Sequence, residues 1–170
     1  HEKYIKKNAD GTYDITLNAS GSVGTQVNKA KVDIVPVMDI SGSMDKSDGS
    51  SRKSKLANAK DAVNALVAAF SAKNDTVDAR YKLVTFAKGS SIATDSWVDG
   101  STLKTKVSNL NADGGTNYDK GLSNAATAVS AGASTDAKKI VIFLTDGQPA
   151  NYGSTSYCGG HTSYNKLSKA

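Results

Sequence analysis

Two short apolar runs, each followed by an aspartate, constrain the fold of this chain more than any other feature. Residues 31–38 and 139–145 are mostly apolar, and they end at Asp39 and Asp146. Runs of this length are typical of strands buried on both faces of a parallel sheet. Pro36 lies within the first run. Because proline cannot donate a backbone hydrogen bond, it predicts a bulge or a locally unpaired position there.

Helical and extended patterns alternate between the two runs. Apolar residues spaced three and four apart predict helices over 54–72, over 103–110 and from just after residue 116. The apolar face of the third helix is predicted to contain Tyr118, Leu122, Ala126 and Val129. Strands are predicted over 81–86 and 91–98, joined as an antiparallel hairpin. This alternation predicts an α/β fold with a doubly wound, mostly parallel sheet, one antiparallel edge strand and helices on both faces.

The two ends of the chain have different patterns. A turn signal at 8–11 predicts a β-hairpin, whose second strand would bury Tyr13, Ile15 and Leu17 on one face. The tail is polar and glycine-rich and predicts a long loop. The chain is therefore divided into lead-in strands (1–30), an α/β core (31–150) and a Gly/Ser-rich loop (151–170). A sheet that ends after a central strand leaves an edge uncovered, so the C-terminal part of the fold is expected to be deleted or supplied by another chain.

Charge and composition exclude several classes of function. The net charge is +5, but the lysines are scattered without a block of like charges, so nucleic-acid binding is not expected. No apolar run is long enough to insert into a membrane, and the polar first residues are not expected to act as a signal peptide. The single cysteine, Cys158, excludes a disulfide within the chain. It is either a lone thiol in a loop or a bridge to another chain.

Oxygen-bearing side chains follow both apolar runs. Asp39, Ser41 and Ser43 alternate after the first run, so an extended turn can direct all three at one ion, and Asp146 follows the second. Thr116 lies in the loop before the third helix. Ligand sites of open α/β sheets gather at the carboxyl ends of the strands, so these five residues are expected to converge. Carboxylate and hydroxyl oxygens favour Mg²⁺, Mn²⁺ or Ca²⁺, and with two carboxylates present, water or an outside carboxylate must complete the coordination.

Other chemistries fit these residues less well. The alternation continues to Asp45, as in a helix–loop–helix calcium site, but Met44 and Ser50 replace the glycine and glutamate that such a loop requires. A phosphoryl-accepting Asp39 needs a neighbouring general acid, and Ser41 cannot serve as one. Neither a nucleophile elbow nor a Gly-Lys-Ser/Thr phosphate loop is present. The chain is therefore not expected to be an enzyme.

The sequence Asp-Ile-Ser-Gly-Ser at 39–43, together with Thr-Asp-Gly at 145–147, resembles the metal-ion-dependent adhesion site of von Willebrand factor type A domains. The resemblance covers roughly residues 31–150. It implies a Rossmann-like fold in which a bound metal captures an acidic residue of a partner. The three motifs of that site would be formed, in order, by Asp39, Ser41 and Ser43, by Thr116, and by Asp146.

The lead-in segment is similar to strands that precede type A domains in Gram-positive, streptococcal-type pilus tip adhesins. This resemblance implies a secreted, cell-wall-anchored pilus protein that binds a host extracellular-matrix or cell-surface protein and associates with a pilus backbone subunit. It further implies an inserted arm opening near Cys158, and Lys–Asn isopeptide crosslinks whose residues the sequence does not assign. The alternative is an intracellular type A module that assembles a multiprotein machine. A secretion signal upstream and a sorting signal downstream in the gene would favour the adhesin.

Overall fold

The computed structural model describes residues 2–18, 28–47, 49 and 52–147. Its elements are, in order, β1 (Glu2–Lys7), β2 (Tyr13–Asn18), β3 (Ala30–Asp39), a 3₁₀ turn (Gly42–Asp45), α1 (Lys55–Ser71), β4 (Val77–Tyr81), β5 (Val84–Phe86), β6 (Ser90–Ile92), α2 (Gly100–Ser108), α3 (Tyr118–Ser130) and β7 (Lys138–Leu144). None of the helices described has the length and apolar character needed to cross a bilayer. The predicted loop over 151–170, with Cys158, lies outside the described residues.

The main sheet is built around β3. This strand pairs in parallel with β4 and then β5 along one edge and with β7 along the other, while β6 returns antiparallel to β5. The predicted mostly parallel sheet with one antiparallel edge strand is therefore confirmed. Residues 77–80 of β4 were not predicted as strand, because Asp78 and Arg80 break their apolar pattern. The strand predicted over 91–98 is shorter than expected, and beyond it Val98 forms only an isolated bridge to Tyr81.

The break between β4 and β5 lies beside Pro36. Strand β4 ends opposite Ile34 and β5 begins opposite Val37, with two residues between on each strand, so no bulge is present. Proline cannot donate to the ladder at this point. At the break, the Leu83 N–H donates to a side chain: its acceptor is the Thr94 hydroxyl at 3.1 Å. Pro36 is therefore unpaired toward β4 and β5, as one of the two alternatives predicted, while on its other side it is paired with Ile142 of β7.

Helices cover both faces of the sheet, as predicted. Successive residues of β3 point to opposite faces, so Ile34 and Met38 pack with α1 and α2, while Val35 and Val37 pack with α3. Helix α1 begins after Ser54, whose hydroxyl accepts a hydrogen bond from the Ala57 N–H at 3.2 Å. This capping stabilises the start that the sequence predicted for the helix.

The buried face of α3 differs from the prediction. Leu122 was expected to be buried but is 53% exposed, and the buried residues are the small ones Gly121, Ala125 and Ala128. A side chain at Gly121 would begin 2.9 Å from the Phe86 ring. The helix approaches β5 closely because small residues form the middle of its buried face, while Tyr118 and Val129 pack against the same cluster as predicted.

Strand β7 is less buried than its apolar run indicated. It pairs with β3 on one side, and no strand in the described ranges pairs with its other side. Val141 is 47% exposed as a result. The prediction of a strand buried on both faces is wrong here, because an apolar run of this kind does not distinguish a central strand from one at an edge.

The N-terminal hairpin is confirmed, although one of the three residues predicted to be buried on it is exposed, and the burial of Ile15 and Leu17 lies outside what the structure describes. Strands β1 and β2 pair antiparallel, with Ile5 opposite Ile15, and Gly11 completes the turn with a φ of 91° that only glycine adopts readily. Tyr13 was expected to be buried, yet it is 58% exposed. The predicted division at residues 30 and 150 stays a prediction.

Substitution of Gly121 tests the close approach of α3 to the sheet. We expect Gly121→Ala to lower the free energy of unfolding by about 1–3 kcal/mol, because the added methyl group overlaps the Phe86 ring. Urea unfolding measures the change. Gly89→Ala is the matched control, since a methyl group there meets nothing within 4 Å. Equal unfolding midpoints for the two variants would contradict this packing.

Candidate metal centre

The parallel pairing of β3 and β7 brings the ends of the two strands together. Met38 is opposite Leu144, so Asp39 and Thr145, the next residues on each side, are neighbours at the carboxyl edge of the sheet. Asp146 follows directly. Two aspartates that are far apart in the sequence therefore meet through the register of one strand pair.

Both carboxylate oxygens of Asp39 are held in place. The side chain is fully buried. One oxygen accepts a hydrogen bond from the Ser41 N–H at 2.8 Å, and the other accepts one from the Thr145 hydroxyl at 2.7 Å. Because the first bond closes the turn after β3 and the second crosses to β7, Asp39 fixes the geometry of both loops.

A chain of side-chain hydrogen bonds joins the first motif to the third. The Ser41 and Ser43 hydroxyl oxygens lie 3.1 Å apart, and the Ser43 hydroxyl donates to the Asp146 carboxylate at 2.9 Å. Ser41 is buried and Ser43 is half-buried. The structure thus brings Ser41, Ser43 and Asp146 into direct contact, as their positions at the ends of the strands predicted.

The second carboxylate oxygen of Asp146 accepts a hydrogen bond from the Lys55 ammonium at 2.7 Å. Burial raises the pKa of Asp146, but the hydrogen bonds from Lys55 and Ser43 and the positive charge of Lys55 outweigh it, so the pKa lies below its usual value. Asp146 is therefore ionised at neutral pH, as a metal ligand has to be.

The loop that contains Thr116 contacts the first motif through backbone hydrogen bonds. The Gly42 N–H donates to the Gly114 carbonyl at 2.9 Å, and the Asp113 N–H donates to the Ile40 carbonyl at 2.8 Å, so the two loops lie side by side. Gly114 has a φ of 81°, which favours glycine. Thr116 is buried, and its hydroxyl has no hydrogen-bond partner among the described residues. Its loop adjoins the first motif, while its side chain is outside the hydrogen-bonded network.

The donor set fits a hard cation. It consists of two carboxylates and three hydroxyls, and the Thr116 hydroxyl is free to accept a further contact. In the described part of the chain, no three His, Cys, Asp or Glu side chains cluster as a metal-binding group. Oxygen donors of this kind suit Mg²⁺, Mn²⁺ or Ca²⁺ better than zinc or copper. The metal itself stays a prediction.

Three residues that contact the site were not among its predicted ligands. Thr145 bonds Asp39, and the Tyr118 hydroxyl bonds both Thr145 and the Gly147 carbonyl. Tyr118 was interpreted only as part of an apolar helix face. Lys55 was treated only as one of the scattered lysines, although a cation in the first turn of a helix is disfavoured by the helix dipole. That unfavourable position was the available signal of a nearby anion.

The family of the chain follows from a match over most of its length. The family model for the von Willebrand factor type A domain matches residues 34–148, and this range contains all five predicted ligands. The chain belongs to the von Willebrand factor type A family. No curated protein matches its sequence.

Solved structures of pilus proteins share this type A fold. The von Willebrand domain of Mfa5, a type V pili tip protein from Porphyromonas gingivalis, is 25% identical with a TM-score of 0.61 over 73% of this chain and 40% of that one. SpaC, a pilus adhesin from Lactobacillus rhamnosus GG, is 25% identical with a TM-score of 0.60 over 87% of this chain and 19% of that one. PilB, a minor pilin from Streptococcus sanguinis, is 19% identical with a TM-score of 0.60 over 81% and 33%, which shows the fold alone. The chain thus spans well under half the length of these proteins.

Replacement of Thr145 tests whether its hydroxyl holds Asp39. We expect Thr145→Val to lower the free energy of unfolding by about 1–3 kcal/mol, because a fully buried carboxylate oxygen loses its donor. The measurement is urea unfolding in EDTA. Thr127→Val is the control, because the exposed Thr127 hydroxyl bonds only the Ser123 carbonyl of its own helix. A Thr145 variant as stable as the control would contradict this role.

Proposed function

We propose that this type A domain is a metal-dependent adhesion module that binds an acidic side chain of another protein. Asp39, Ser41, Ser43, Thr116 and Asp146 hold a divalent cation, Mg²⁺ or in its place Mn²⁺ or Ca²⁺. The partner is a host extracellular-matrix or cell-surface protein. The protein acts outside the bacterial cell, on a pilus anchored to the cell wall.

The observation that carries this proposal is the hydrogen-bonded chain from Ser41 through Ser43 to Asp146. It unites hydroxyl and carboxylate oxygens from loops 103 residues apart in one polar centre at the edge of the sheet. An isolated aspartate at the end of a strand would have no such partners. Several hard oxygen donors at one point are what a divalent cation requires.

The proposed ligands contribute two kinds of oxygen to cation binding. Asp39 and Asp146 supply the negative charge, and the three hydroxyls supply neutral oxygens. Because Asp39 is fixed by both of its oxygens, little rearrangement is needed for it to bind. A bound divalent cation would supply a positive charge and a free coordination position for a carboxylate oxygen of the partner.

Binding rather than catalysis suits the groups at this centre. The Ser41 and Ser43 hydroxyls contact each other and the Asp146 carboxylate, and that carboxylate is also bonded to the Lys55 ammonium, which suits a metal ligand better than a general base. The proposal therefore assigns the protein no enzymatic reaction. The proposed location on a pilus rests on the likeness to Mfa5 and SpaC, which are named as a pilus tip protein and a pilus adhesin. By the same likeness, its second partner is a pilus backbone subunit.

Calorimetric titration with Mg²⁺ or Mn²⁺ tests the site itself. We expect one binding site in the unaltered protein. Asp39→Asn should weaken binding by about 100-fold, because a ligand charge is lost. Thr116→Val should weaken it by about tenfold, since it removes a hydroxyl without changing the shape of the side chain. Thr127→Val, which alters a threonine on α3 outside the centre, should bind as the unaltered protein does.

Adhesion to immobilised host matrix proteins tests the function. Binding should occur in Mg²⁺, be lost in EDTA and return when Mg²⁺ is restored, and the Thr116→Val variant should bind weakly in all three conditions. Equal adhesion with and without EDTA would overturn the metal-bridged mechanism. Failure of the unaltered protein to bind any divalent cation would overturn the assignment of the site.

A further inference from the structure

Lys55 is an unusual neighbour for a cation site. Its ammonium lies 2.7 Å from the Asp146 carboxylate, and the two side chains are 31% and 9% exposed. Lys55 is also the first residue of α1, where the helix dipole disfavours a positive charge. A fixed positive charge at this position repels a second cation.

The charges at the centre show what Lys55 changes. Asp39 and Asp146 carry two negative charges and Lys55 carries one positive charge, so the centre is negative by one before a cation binds. With a divalent cation it becomes positive by one. Asp45 and Lys46, which follow the first motif, are exposed and opposite in sign, so they leave this balance unchanged. Without Lys55 the loaded centre would be neutral.

We propose that Lys55 couples the two binding events: it restrains binding of the cation alone and favours a negatively charged ligand once the cation is bound. This inference rests on the proposed function and names the chemical selectivity of the same site. A carboxylate ligand brings the loaded centre back to neutrality. A neutral oxygen ligand, such as an amide or water, leaves it positive by one.

The contacts of the neighbouring lysines set Lys55 apart. Lys60 is held by two backbone carbonyls, those of Ser108 and Leu110, which makes it a structural link between α1 and α2. Lys53 pairs with Asp61, and both of these side chains are more than half exposed. Lys55 instead contacts a predicted metal ligand, and its partly exposed side chain leaves it room to move away from Asp146. Ser43 already bonds the other oxygen of Asp146, so that carboxylate keeps a donor when Lys55 leaves.

Mn²⁺ titration in the absence and presence of acetate tests the coupling. By linkage, an anion that favours the loaded centre raises the affinity for Mn²⁺. In the unaltered protein we expect acetate to increase the affinity for Mn²⁺. Lys55→Met should bind Mn²⁺ about tenfold more tightly without acetate, because one repelling charge is gone, and acetate should then increase the affinity much less. Lys55→Arg, which keeps the charge, and Lys53→Met, which removes a charge paired with Asp61 instead of Asp146, should both behave as the unaltered protein does.

The outcomes separate this inference from the proposed function. If the unaltered protein binds no Mn²⁺, the proposed function fails and the coupling fails with it. If it binds Mn²⁺ but Lys55→Met binds no more tightly, or gains as much from acetate, only the coupling is overturned.

Thermal unfolding gives a second readout. In EDTA the Lys55→Met variant should have the lower Tm, because two carboxylates lose their counter-charge, and Mn²⁺ should raise its Tm more than that of the unaltered protein. An equal or smaller rise would contradict the coupling.

Discussion

The pairing of β3 with β7 is the interaction on which the centre depends. Asp39 and Asp146 are adjacent only because Met38 and Leu144 share a register position in a parallel pair. A shift by one residue would turn the side chains of one strand to the opposite face of the sheet. Apolar packing on both faces fixes this register, so the core of the domain determines the positions of its polar centre.

Patterns that depend on local chemistry were predictable from the sequence. The apolar runs identified β3 and β7, and the apolar spacing over 54–72 identified α1, because burial patterns act over a few residues. The convergence of Asp39, Ser41, Ser43 and Asp146 also followed, since strands of a parallel sheet end at one edge. Thr116 was predicted to share this edge, and its loop does adjoin the first motif through glycine backbones.

Features that depend on tertiary neighbours were not predictable in the same way. The exposure of Val141 is set by what lies beside β7, and a single apolar run contains no information about that. The buried face of α3 was misassigned because close approach to Phe86 favours Gly121 over a larger apolar residue such as Leu122. Lys55 escaped notice because its partner is 91 residues away. Each error concerns a contact between distant segments.

The contact of Gly42 with Gly114 has a consequence for how such domains diversify. The first and second loops are joined by main-chain atoms, and a methyl group at Gly42 would stand 3.4 Å from the Gly114 carbonyl. The seam between the loops therefore does not depend on the identity of their other side chains. Asp45 and Asp113 are exposed on either side of this contact, and either can be replaced by another residue without disturbing it. Substitutions on the surface around the centre can thus change which partner is bound while the central oxygens keep their positions.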